Sequence, residues 1–379
     1  MDAFKAITMT FATYYAALCS SVTLYRLSPF HPLARYPGPI MCKASTIWVA
    51  YVASKGKQHL YIQDLHRRYG DAVRIGPNEI SFRNTDVINP LMGSRGLPKG
   101  PNWDGRLFQN PMHAMISIQD PQEHFIRRKP WSRAFNTGSL KELQPLLAAR
   151  VEQLVEAAIT QKGVVDLSKW INFFTYVTNE DNRAERPLSP LKVLEDGLTA
   201  IIAGTDTTSS TLCNVFFFLI TYPKVHEQLQ AEVDCYYPPG EDALDPQHHP
   251  KMVYLEAVIF LPEGNQARLH FYSVHRDPRN FSNPDSFWPE RWLIAGGNMT
   301  SSEELVHNPN AFVPFSHGPS NCVGKPLAMR EMRTVICQMV QKVNMRFAPG
   351  WNPQDWERDM EDRFNVKKGP LPVIVEKRD

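Results

Sequence analysis

The stretch Ala311-Phe312-Val313-Pro314-Phe315-Ser316-His317-Gly318-Pro319-Ser320-Asn321-Cys322-Val323-Gly324-Lys325-Pro326-Leu327-Ala328 places one cysteine in a loop bounded by glycines. Gly318 precedes Cys322 by four residues and Gly324 follows it by two. Apolar residues at helical spacing come directly afterwards, so we expect a helix to begin where the loop ends. A thiolate there faces backbone N–H groups and the positive end of the helix dipole. Cysteines in such places bind metal or attack electrophiles, and the glycines let the backbone fold under the sulfur.

Phe315 would shield one side of a flat cofactor, which suits the presentation of a haem-iron thiolate ligand. The stretch resembles the haem-binding loop of the cytochrome P450 family, whose pattern is Phe-x-x-Gly-x-basic-x-Cys-x-Gly. Phe315, Gly318, Cys322 and Gly324 match this pattern. Ser320 occupies the usually basic position, so one expected contact with a haem propionate is missing. The alternative is a buried structural cysteine, which the four matches and the further motifs below disfavour.

The composition is that of an ordinary globular protein. The chain has 379 residues, with 43% hydrophobic and 21% charged residues, which is enough for one large domain or two ordinary ones. The net charge of +2 gives no reason to expect a nucleic-acid partner. The six cysteines show no Cys-x-x-Cys spacing and no dense framework, so we expect reduced thiols that face the cytosol.

The N-terminus carries an uncharged run from Ala6 to Tyr25, which is long enough to cross a bilayer as a helix. A cleaved signal peptide and a buried core helix are the alternatives. We favour a retained anchor at 1–25, because 26–39 is basic and rich in proline and resembles the linker of membrane-bound members of the family. Residues 40–379 then form the catalytic domain. The resemblance implies an endoplasmic reticulum protein whose catalytic domain faces the cytosol.

The patterns along the chain predict a mainly α protein with small β-sheets, and the resemblance implies the cytochrome P450 fold. A hairpin is expected around Gly76-Pro77-Asn78. A helix is expected to begin after Asp120, with Asp120 as its N-cap and Pro121 at its first position. The longest predicted helix is apolar and runs from Leu191 to Thr221.

That long helix contains Ala203-Gly204-Thr205-Asp206-Thr207-Thr208. Glycine inside a helix costs about 0.5–1 kcal/mol relative to alanine, and threonine hydroxyls that bond to i−4 carbonyls bend the helix. The run matches the distal-helix pattern of the family, Ala/Gly-Gly-x-Asp/Glu-Thr. The resemblance implies that Ala203 and Gly204 lie against haem, that Asp206 draws protons in, and that Thr207 passes them to the reacting dioxygen. A polar threonine patch on a kinked core helix is the alternative.

A second helix carries candidate haem contacts. His124 and Arg128 lie one turn apart on one face. In the family the corresponding helix reaches the haem propionates, so the resemblance implies that these two residues bind them, with Trp131 packed beside the same edge. A solvated basic helix face is the competing interpretation.

One family motif is absent. Arg291 matches the arginine that closes a three-member ion network in the family, but its Glu-x-x-Arg partners are missing. The chain from Met252 to Ile259 resembles the start of the expected helix, and an internal deletion is predicted near 259–262. A second deletion is predicted near 173–180, where helices that roof the substrate pocket are expected. Glu180 and Arg183 have the right spacing, but they precede the distal helix in a polar segment.

The resemblance implies a haem-thiolate monooxygenase of the fungal membrane-bound type, shortened within the chain. Its cofactor would be iron protoporphyrin IX with Cys322 as the axial ligand, and dioxygen would be its oxidant. An apolar organic molecule, such as a fungal secondary metabolite, would be its substrate, and NADPH–cytochrome P450 reductase its electron donor. Basic residues on two elements would form the docking face for that reductase: Arg127, Arg128, Lys129, Arg133, Lys325, Arg330 and Arg333. Two alternatives remain: an inactive relic or haem-binding pseudoenzyme, and a membrane-tethered interaction protein without haem.

Overall fold

The computed structural model describes residues 2–100, 115–181, 190–238, 240–259, 269–301, 304–363 and 365–378. Within these ranges the chain is mostly helical with small antiparallel sheets, as the sequence predicts. The helices are α1 (Asp2–Leu27), α2 (Ile40–Ala44), α3 (Thr46–Ser54), α4 (Gln58–Tyr69), α5 (Ile88–Met92), α6 (Pro121–Ala134), α7 (Thr137–Thr160), α8 (Leu167–Asp181), α9 (Pro190–Thr221), α10 (Pro223–Tyr236), α11 (Val253–Ile259), α12 (Phe271–His275), α13 (Glu290–Ala295), α14 (Lys325–Lys342) and α15 (Gln354–Asp359). The strands are β1 (Ala72–Gly76), β2 (Glu79–Phe82), β3 (Val164–Asp166), β4 (Val343–Phe347), β5 (Glu361–Arg363), β6 (Asn365–Lys367) and β7 (Pro372–Lys377).

Local sequence signals account for several of these boundaries. The side chain of Asp120 accepts hydrogen bonds from the backbone N–H groups of Gln122 and Glu123, which makes it the N-cap of α6. Gly70 ends α4 with a φ of 95°, a conformation that glycine adopts at little cost. Strands β1 and β2 pair antiparallel across the predicted turn. The predictions of the Asp120 cap and of the hairpin are confirmed.

The main hydrophobic core lies among the long helices. Side chains from α7, α8, α9, α10 and α14 are buried together, and fully buried examples are Val151, Ile171, Phe216, Leu229 and Ile336. The amphipathic pattern of each helix directs one apolar face inward. This core fixes α9 and α14 against each other, and these two helices carry the two principal motifs of the sequence.

The C-terminal strand closes one side of this core. Strand β7 lies between β3 and β4 and pairs antiparallel with both. Trp356 of α15 is 1% exposed and donates a hydrogen bond through its indole nitrogen to Asn214 of α9, at 2.9 Å. The C-terminal segment is therefore packed directly on the long helix.

Among the described residues, one helix is long and apolar enough to span a membrane, Ala3–Leu27, and none of it is buried in the protein. Its C-terminal end is fixed to the next element, because Arg26 donates a hydrogen bond to the backbone oxygen of Ala44 at 2.8 Å. Exposed apolar side chains continue from there onto α2 and α3: Ile40, Met41, Ile47 and Tyr51.

Two connections are short where the family resemblance leads one to expect more chain. Helix α8 is continuous through 173–180 and ends at Asp181, and α9 begins at Pro190. The connection is therefore 182–189, too short for several helices of the usual length of about 11 residues. Similarly, 260–268 joins α11 to Leu269. Both connections, and with them Arg183, lie outside the described residues.

Candidate functional site

The loop before Cys322 is docked on α5. Gly318 has a φ of 71°, and a Cβ added there would overlap the backbone oxygen of Met92. The neighbouring His317 pairs with the side-chain oxygen of Asn89 through its Nε2, at 2.8 Å. Only glycine satisfies both the backbone angle and the close approach, so Gly318 is required by the position of the loop.

Cys322 lies at the N-terminus of α14, as predicted. Its backbone N–H donates to the backbone oxygen of Phe315 at 2.8 Å, which closes the loop. Gly324 is the N-cap residue of α14, and an ideal Cβ on it would lie 4.0 Å from the Cys322 sulfur. The thiol is exposed. The sulfur is therefore held beside the positive end of an 18-residue helix.

Arg128 of α6 holds the same loop from another side. Its guanidinium donates two hydrogen bonds to Asn321, one to the backbone oxygen and one to the side-chain oxygen, the latter at 2.6 Å. Burial lowers the pKa of Arg128, and the nearby Cys322 sulfur opposes that shift. The structure thus brings Arg128 and Cys322 together, although they are far apart in sequence.

His124 lies one turn before Arg128 and is buried. Burial, followed by the positive charges of Lys99 and Arg128, lowers the pKa of His124 to about 4. Burial and Arg128 also lower the pKa of Lys99 to about 8, and its ammonium donates to the backbone oxygen of Ile116 at 2.6 Å. At neutral pH Arg128 and Lys99 are therefore the cations beside a neutral His124, and their positive potential favours a bound anion.

Phe315 and Trp131, the two aromatic residues among the predicted site residues, lie in different parts of the fold. Phe315 packs against the main core, and the ammonium of Lys325 lies 5.4 Å from its ring centroid. Trp131 stacks on Phe135, with ring centroids 6.0 Å apart, in the last turn of α6. The predicted role of Trp131 beside the haem edge stays a prediction.

The Ala203–Thr208 run lies within α9, and the hydroxyl group of Thr207 bonds to a helix carbonyl, whereas the buried hydroxyls of Thr205 and Thr208 have no hydrogen-bond partner among the described residues. Thr207 donates to the backbone oxygen of Ala203 at 2.6 Å, which is the expected i−4 bond. Thr211 donates in the same way to the backbone oxygen of Thr207, at 3.0 Å. Asp206 and Ala203 are exposed and Gly204 is half-buried. An acid and an alcohol are therefore adjacent on an accessible turn of the helix.

Arg291 is satisfied without a carboxylate among the described residues. Its guanidinium donates to the backbone oxygens of Ser282, Asn283, Ser286 and Trp288, at 2.7 to 3.1 Å. It is 7% exposed, and burial lowers its pKa. Carbonyl oxygens thus replace the missing carboxylate partner as acceptors.

The predicted basic face is smaller than the sequence indicates. Arg330 donates to the backbone oxygen of Leu140 at 2.8 Å, and Arg333 pairs with Glu256 of α11. These two arginines connect α14 to α7 and α11. The exposed cations that remain on α6 and at the start of α14 are Lys129, Arg133 and Lys325.

Sequence reasoning missed several residues that the fold brings to this region. Asn89, Met92 and Asn321 hold the cysteine loop, but side-chain amides and loop packing carry no recognisable spacing. Lys99 was also missed, because its positive charge reaches His124 only once the chain is folded against α6. The adjacency of Asn321 to Cys322 was the single available signal.

Comparison with known proteins gives a consistent result. The family model described as Cytochrome P450 matches residues 104–260 and 259–374, in two segments that meet where α11 ends. The chain is 28% identical to cytochrome P450 monooxygenase FCK2 of Fusarium pseudograminearum, over 95% of this chain and 85% of that protein. It is 28% identical to cytochrome P450 monooxygenase nodW of Hypoxylon pulicicidum, over 89% of this chain and 81% of that protein.

A further relative is tryprostatin B 6-hydroxylase of Aspergillus fumigatus, 23% identical over all of this chain and 86% of that protein. The alignment with the Fusarium protein spans 479 positions, whereas this chain has 379 residues in total. At least 100 aligned positions of that relative therefore have no counterpart here. The chain is shortened internally relative to these proteins.

Proposed function

This chain belongs to the cytochrome P450 family of haem monooxygenases, and we propose that Cys322 is the residue through which it ligates haem iron. A cysteine thiolate on iron donates electron density that favours cleavage of the dioxygen bond, and the haem supplies that redox chemistry when bound. The position of Cys322 supports this assignment, because its thiol is exposed and stands at the N-terminus of α14. A thiolate is the form stabilised at such a place.

The charges around the loop fit the carboxylate edge of haem. Arg128, His124 and Lys99 would hold the propionates, with Lys99 supplying a cation that Ser320 does not. Arg128 has a second task, because its bonds to Asn321 fix the loop that carries the ligand. Gly318 lets the loop backbone approach the Met92 carbonyl, which a side chain at that position would prevent.

On α9, Asp206 and Thr207 would move protons to the reaction centre. The exposure of Asp206 beside a half-buried Thr207 supports this role, and the Thr207 hydroxyl is oriented by the Ala203 carbonyl. A positioned acid–base group of this kind contributes about 10²- to 10⁴-fold to a rate. Ala203 and Gly204 would present a small surface toward the cofactor.

The substrate proposed is an apolar organic molecule of fungal secondary metabolism. The names of similar fungal proteins support this proposal. One relative is named a tryprostatin B 6-hydroxylase, and others are named cytochrome P450 monooxygenases. The reaction would insert one oxygen atom from dioxygen into a C–H bond. Electrons from NADPH would arrive through a cytochrome P450 reductase docked on Lys129, Arg133 and Lys325.

The proposed location is the endoplasmic reticulum membrane, with α1 as a single anchor at 1–25 and 26–39 as the hinge. Helix α1 is long and apolar enough to span a bilayer. The exposed apolar side chains of Ile40, Met41, Ile47 and Tyr51 continue from its end, and burying them in lipid would remove apolar surface from water. Residues 40–379 would lie on the cytosolic side.

A catalytically inactive haem-binding relic is the second candidate function. The observation that favours it is the internal shortening, because oxygen activation needs a site closed to water. The four backbone oxygens that bind Arg291, here called its carbonyl cage, weigh against a loss of the fold in this region. They satisfy a buried charge that the absence of the Glu-x-x-Arg motif would otherwise leave unpaired. An interaction protein without haem is disfavoured by the family match.

The observation that carries the proposal is the exposed Cys322 thiol at the α14 N-terminus, bounded by Arg128. The test is the spectrum of the reduced, CO-bound full-length protein, combined with haem content by pyridine haemochrome. We expect the thiolate-type Soret band in the wild type and in Cys235→Ala, which changes another exposed cysteine. Cys322→Ala should lose that band. A Cys322→Ala protein that keeps the band and full haem content would refute the ligand assignment.

A further inference from the structure

A lysine outside every recognised motif contacts the turn of α9 that carries Asp206 and Thr207. Lys368 directly follows β6 in the sequence, and its ammonium donates to the Ser209 hydroxyl of α9 at 2.7 Å. The same ammonium donates to the side-chain oxygen of Asn172 on α8, at 2.8 Å. One cation therefore joins three elements: α8, α9 and the hairpin formed by the paired strands β5 and β6.

Ser209 passes this contact to the backbone of the predicted relay. Its hydroxyl donates to the backbone oxygen of Asp206 at 3.3 Å, and the residue is 0% exposed. The two hydrogen bonds run in the same direction, because the Lys368 ammonium donates to the Ser209 hydroxyl and that hydroxyl donates to the Asp206 oxygen. A charged donor polarises the hydroxyl it contacts, which strengthens the next hydrogen bond in such a chain.

Neighbouring contacts hold the same turn. Thr175 of α8 is 0% exposed, and its hydroxyl donates to the backbone oxygen of Ile171 in its own helix at 3.0 Å while lying 3.2 Å from the backbone oxygen of Thr205 on α9. Ser210 donates to the backbone oxygen of Val366 in β6 at 3.2 Å. Helix carbonyls that accept extra hydroxyl donors mark places where a helix departs from straight geometry. The turn is thus held from α8 on one side and from the hairpin on the other.

We propose that Lys368 is a positioning residue for proton transfer, which acts through Ser209 to fix the helix turn that carries Asp206 and Thr207. The inference rests on the proposed function of that pair. Lys368 touches neither substrate nor cofactor in this role. Its effect is to hold the acid and the alcohol in one orientation, and small displacements of such groups reduce the efficiency of transfer.

The chain provides a matched control, because the adjacent Lys367 is exposed and belongs to β6. We would compare Lys368→Met, Lys368→Arg, Ser209→Ala, the double variant Lys368→Met/Ser209→Ala, and Lys367→Met. The readout is hydrogen peroxide released per NADPH consumed, with a purified fungal reductase and no added substrate. Haem content and the CO-bound spectrum are measured on every variant, so that loss of the cofactor is separated from altered proton transfer.

We expect peroxide release to rise by about twofold to fivefold in Lys368→Met, a small part of the factor contributed by a positioned acid–base group. Ser209→Ala and the double variant should show the same rise, since the two residues act in one pathway and their effects are not additive. Lys368→Arg should restore most of the wild-type ratio, and Lys367→Met should leave it unchanged. Additive effects in the double variant, or a wild-type ratio in Lys368→Met, would overturn the inference.

Amide hydrogen exchange tests the same inference without turnover. Exchange at the backbone N–H groups of 206–210 should quicken in Lys368→Met and Ser209→Ala, but not in Lys367→Met. Unchanged exchange in Lys368→Met would overturn the positioning role whether or not the protein binds haem. A wild type that lacks the thiolate-type spectrum would instead contradict the proposed function, so the two failures are distinguishable.

Discussion

The guanidinium of Arg128 binds both the backbone and the side-chain oxygen of Asn321, the residue immediately before Cys322. A helix that begins more than 190 residues earlier in the chain thereby sets the position of the cysteine loop. Arginine suits this task because its planar fork donates two bonds in fixed geometry, which lysine does not reproduce. Retention of haem should therefore depend on this contact as well as on the sulfur.

Arg128→Ala should release haem faster and bind it more weakly. Hydrogen bonds from a charged donor contribute about 1.5–3 kcal/mol each, so a loss of at least tenfold in haem affinity is expected. The measurement is the rate of haem transfer to apomyoglobin. Arg133→Ala, an exposed arginine on the same helix, is the control and should behave as the wild type. Equal transfer rates for the two variants would contradict the role of Arg128.

Gly318→Ala should destabilise the loop by more than its backbone angle alone explains. The control is Gly297→Ala, because Gly297 has a similar φ of 75° with nothing within 4 Å of its added Cβ. The angle alone costs about 1–2 kcal/mol, and at Gly318 the overlap with Met92 adds to it. Urea unfolding and the CO-bound spectrum are the measurements. The prediction is wrong if the two variants unfold at the same midpoint.

Thr207→Ala should uncouple electron consumption from productive chemistry. The hydroxyl that would hand protons on is removed, so peroxide released per NADPH should rise while the CO-bound spectrum stays the same. Thr221→Ala removes an equivalent hydroxyl, bonded to the Phe217 oxygen at 2.7 Å, from the far end of the same helix. That control should leave the ratio unchanged. Identical ratios in all three proteins would remove Thr207 from the relay.

Acid should destabilise the protein through buried histidines that pack together. His66 and His270 stack with ring centroids 5.8 Å apart, and His66 also bonds Ser81 and the Gly70 oxygen. Burial, with smaller contributions from His66 and His59, lowers the pKa of His270 to about 3. Burial likewise lowers the pKa of His66, and Arg83 adds to this while Asp71 opposes it.

The direction in which stability changes with pH follows from proton uptake by the unfolded chain. Since the pKa values are lower in the folded protein than the ordinary 6.5, the unfolded chain binds more protons as the pH falls below about 6.5. Stability is full above that pH and decreases below it, by up to about 1.4 kcal/mol per pH unit for each such histidine. Thermal unfolding between pH 7.5 and 5 should show a smaller decrease in His270→Gln than in the wild type or in His248→Gln. An equal decrease in all three would contradict the prediction.

Charge reversal on the exposed cations should slow electron delivery. The triple variant Lys129→Glu/Arg133→Glu/Lys325→Glu would repel an acidic partner, so first-electron transfer from the reductase should fall by about tenfold at low salt. Higher ionic strength should reduce the difference in electron-transfer rate between the variant and the wild type. Lys224→Glu, at the exposed start of α10, is the control. A triple variant that accepts electrons at the wild-type rate would place the docking surface elsewhere.

Much of the fold and the cysteine loop was predictable, because both depend on local signals. Asp120 caps α6 through its own side chain, Gly70 ends α4, and the apolar run over α9 has helical length and composition. Gly318 likewise marks a backbone position that a side chain would disturb. Each of these features is readable within a few residues of sequence.

The remainder depends on contacts between distant parts of the chain. Nothing near Arg330 or Arg333 shows that they bind Leu140 and Glu256 and so leave the predicted basic face. Nothing near Lys368 shows that it contacts α9. The acceptors of Arg291 were equally hidden, since backbone carbonyls carry no residue type that a motif search can recognise.

The carbonyl cage of Arg291 bears on how such a chain survives shortening. A guanidinium held by main-chain oxygens depends on the path of the backbone and not on any particular partner side chain, so substitution or loss of a distant carboxylate removes none of its acceptors. A segment that supplies a counter-charge can then be absent while the neighbouring loops keep their shape. In this protein, main-chain acceptors would make the fold around Arg291 insensitive to internal shortening.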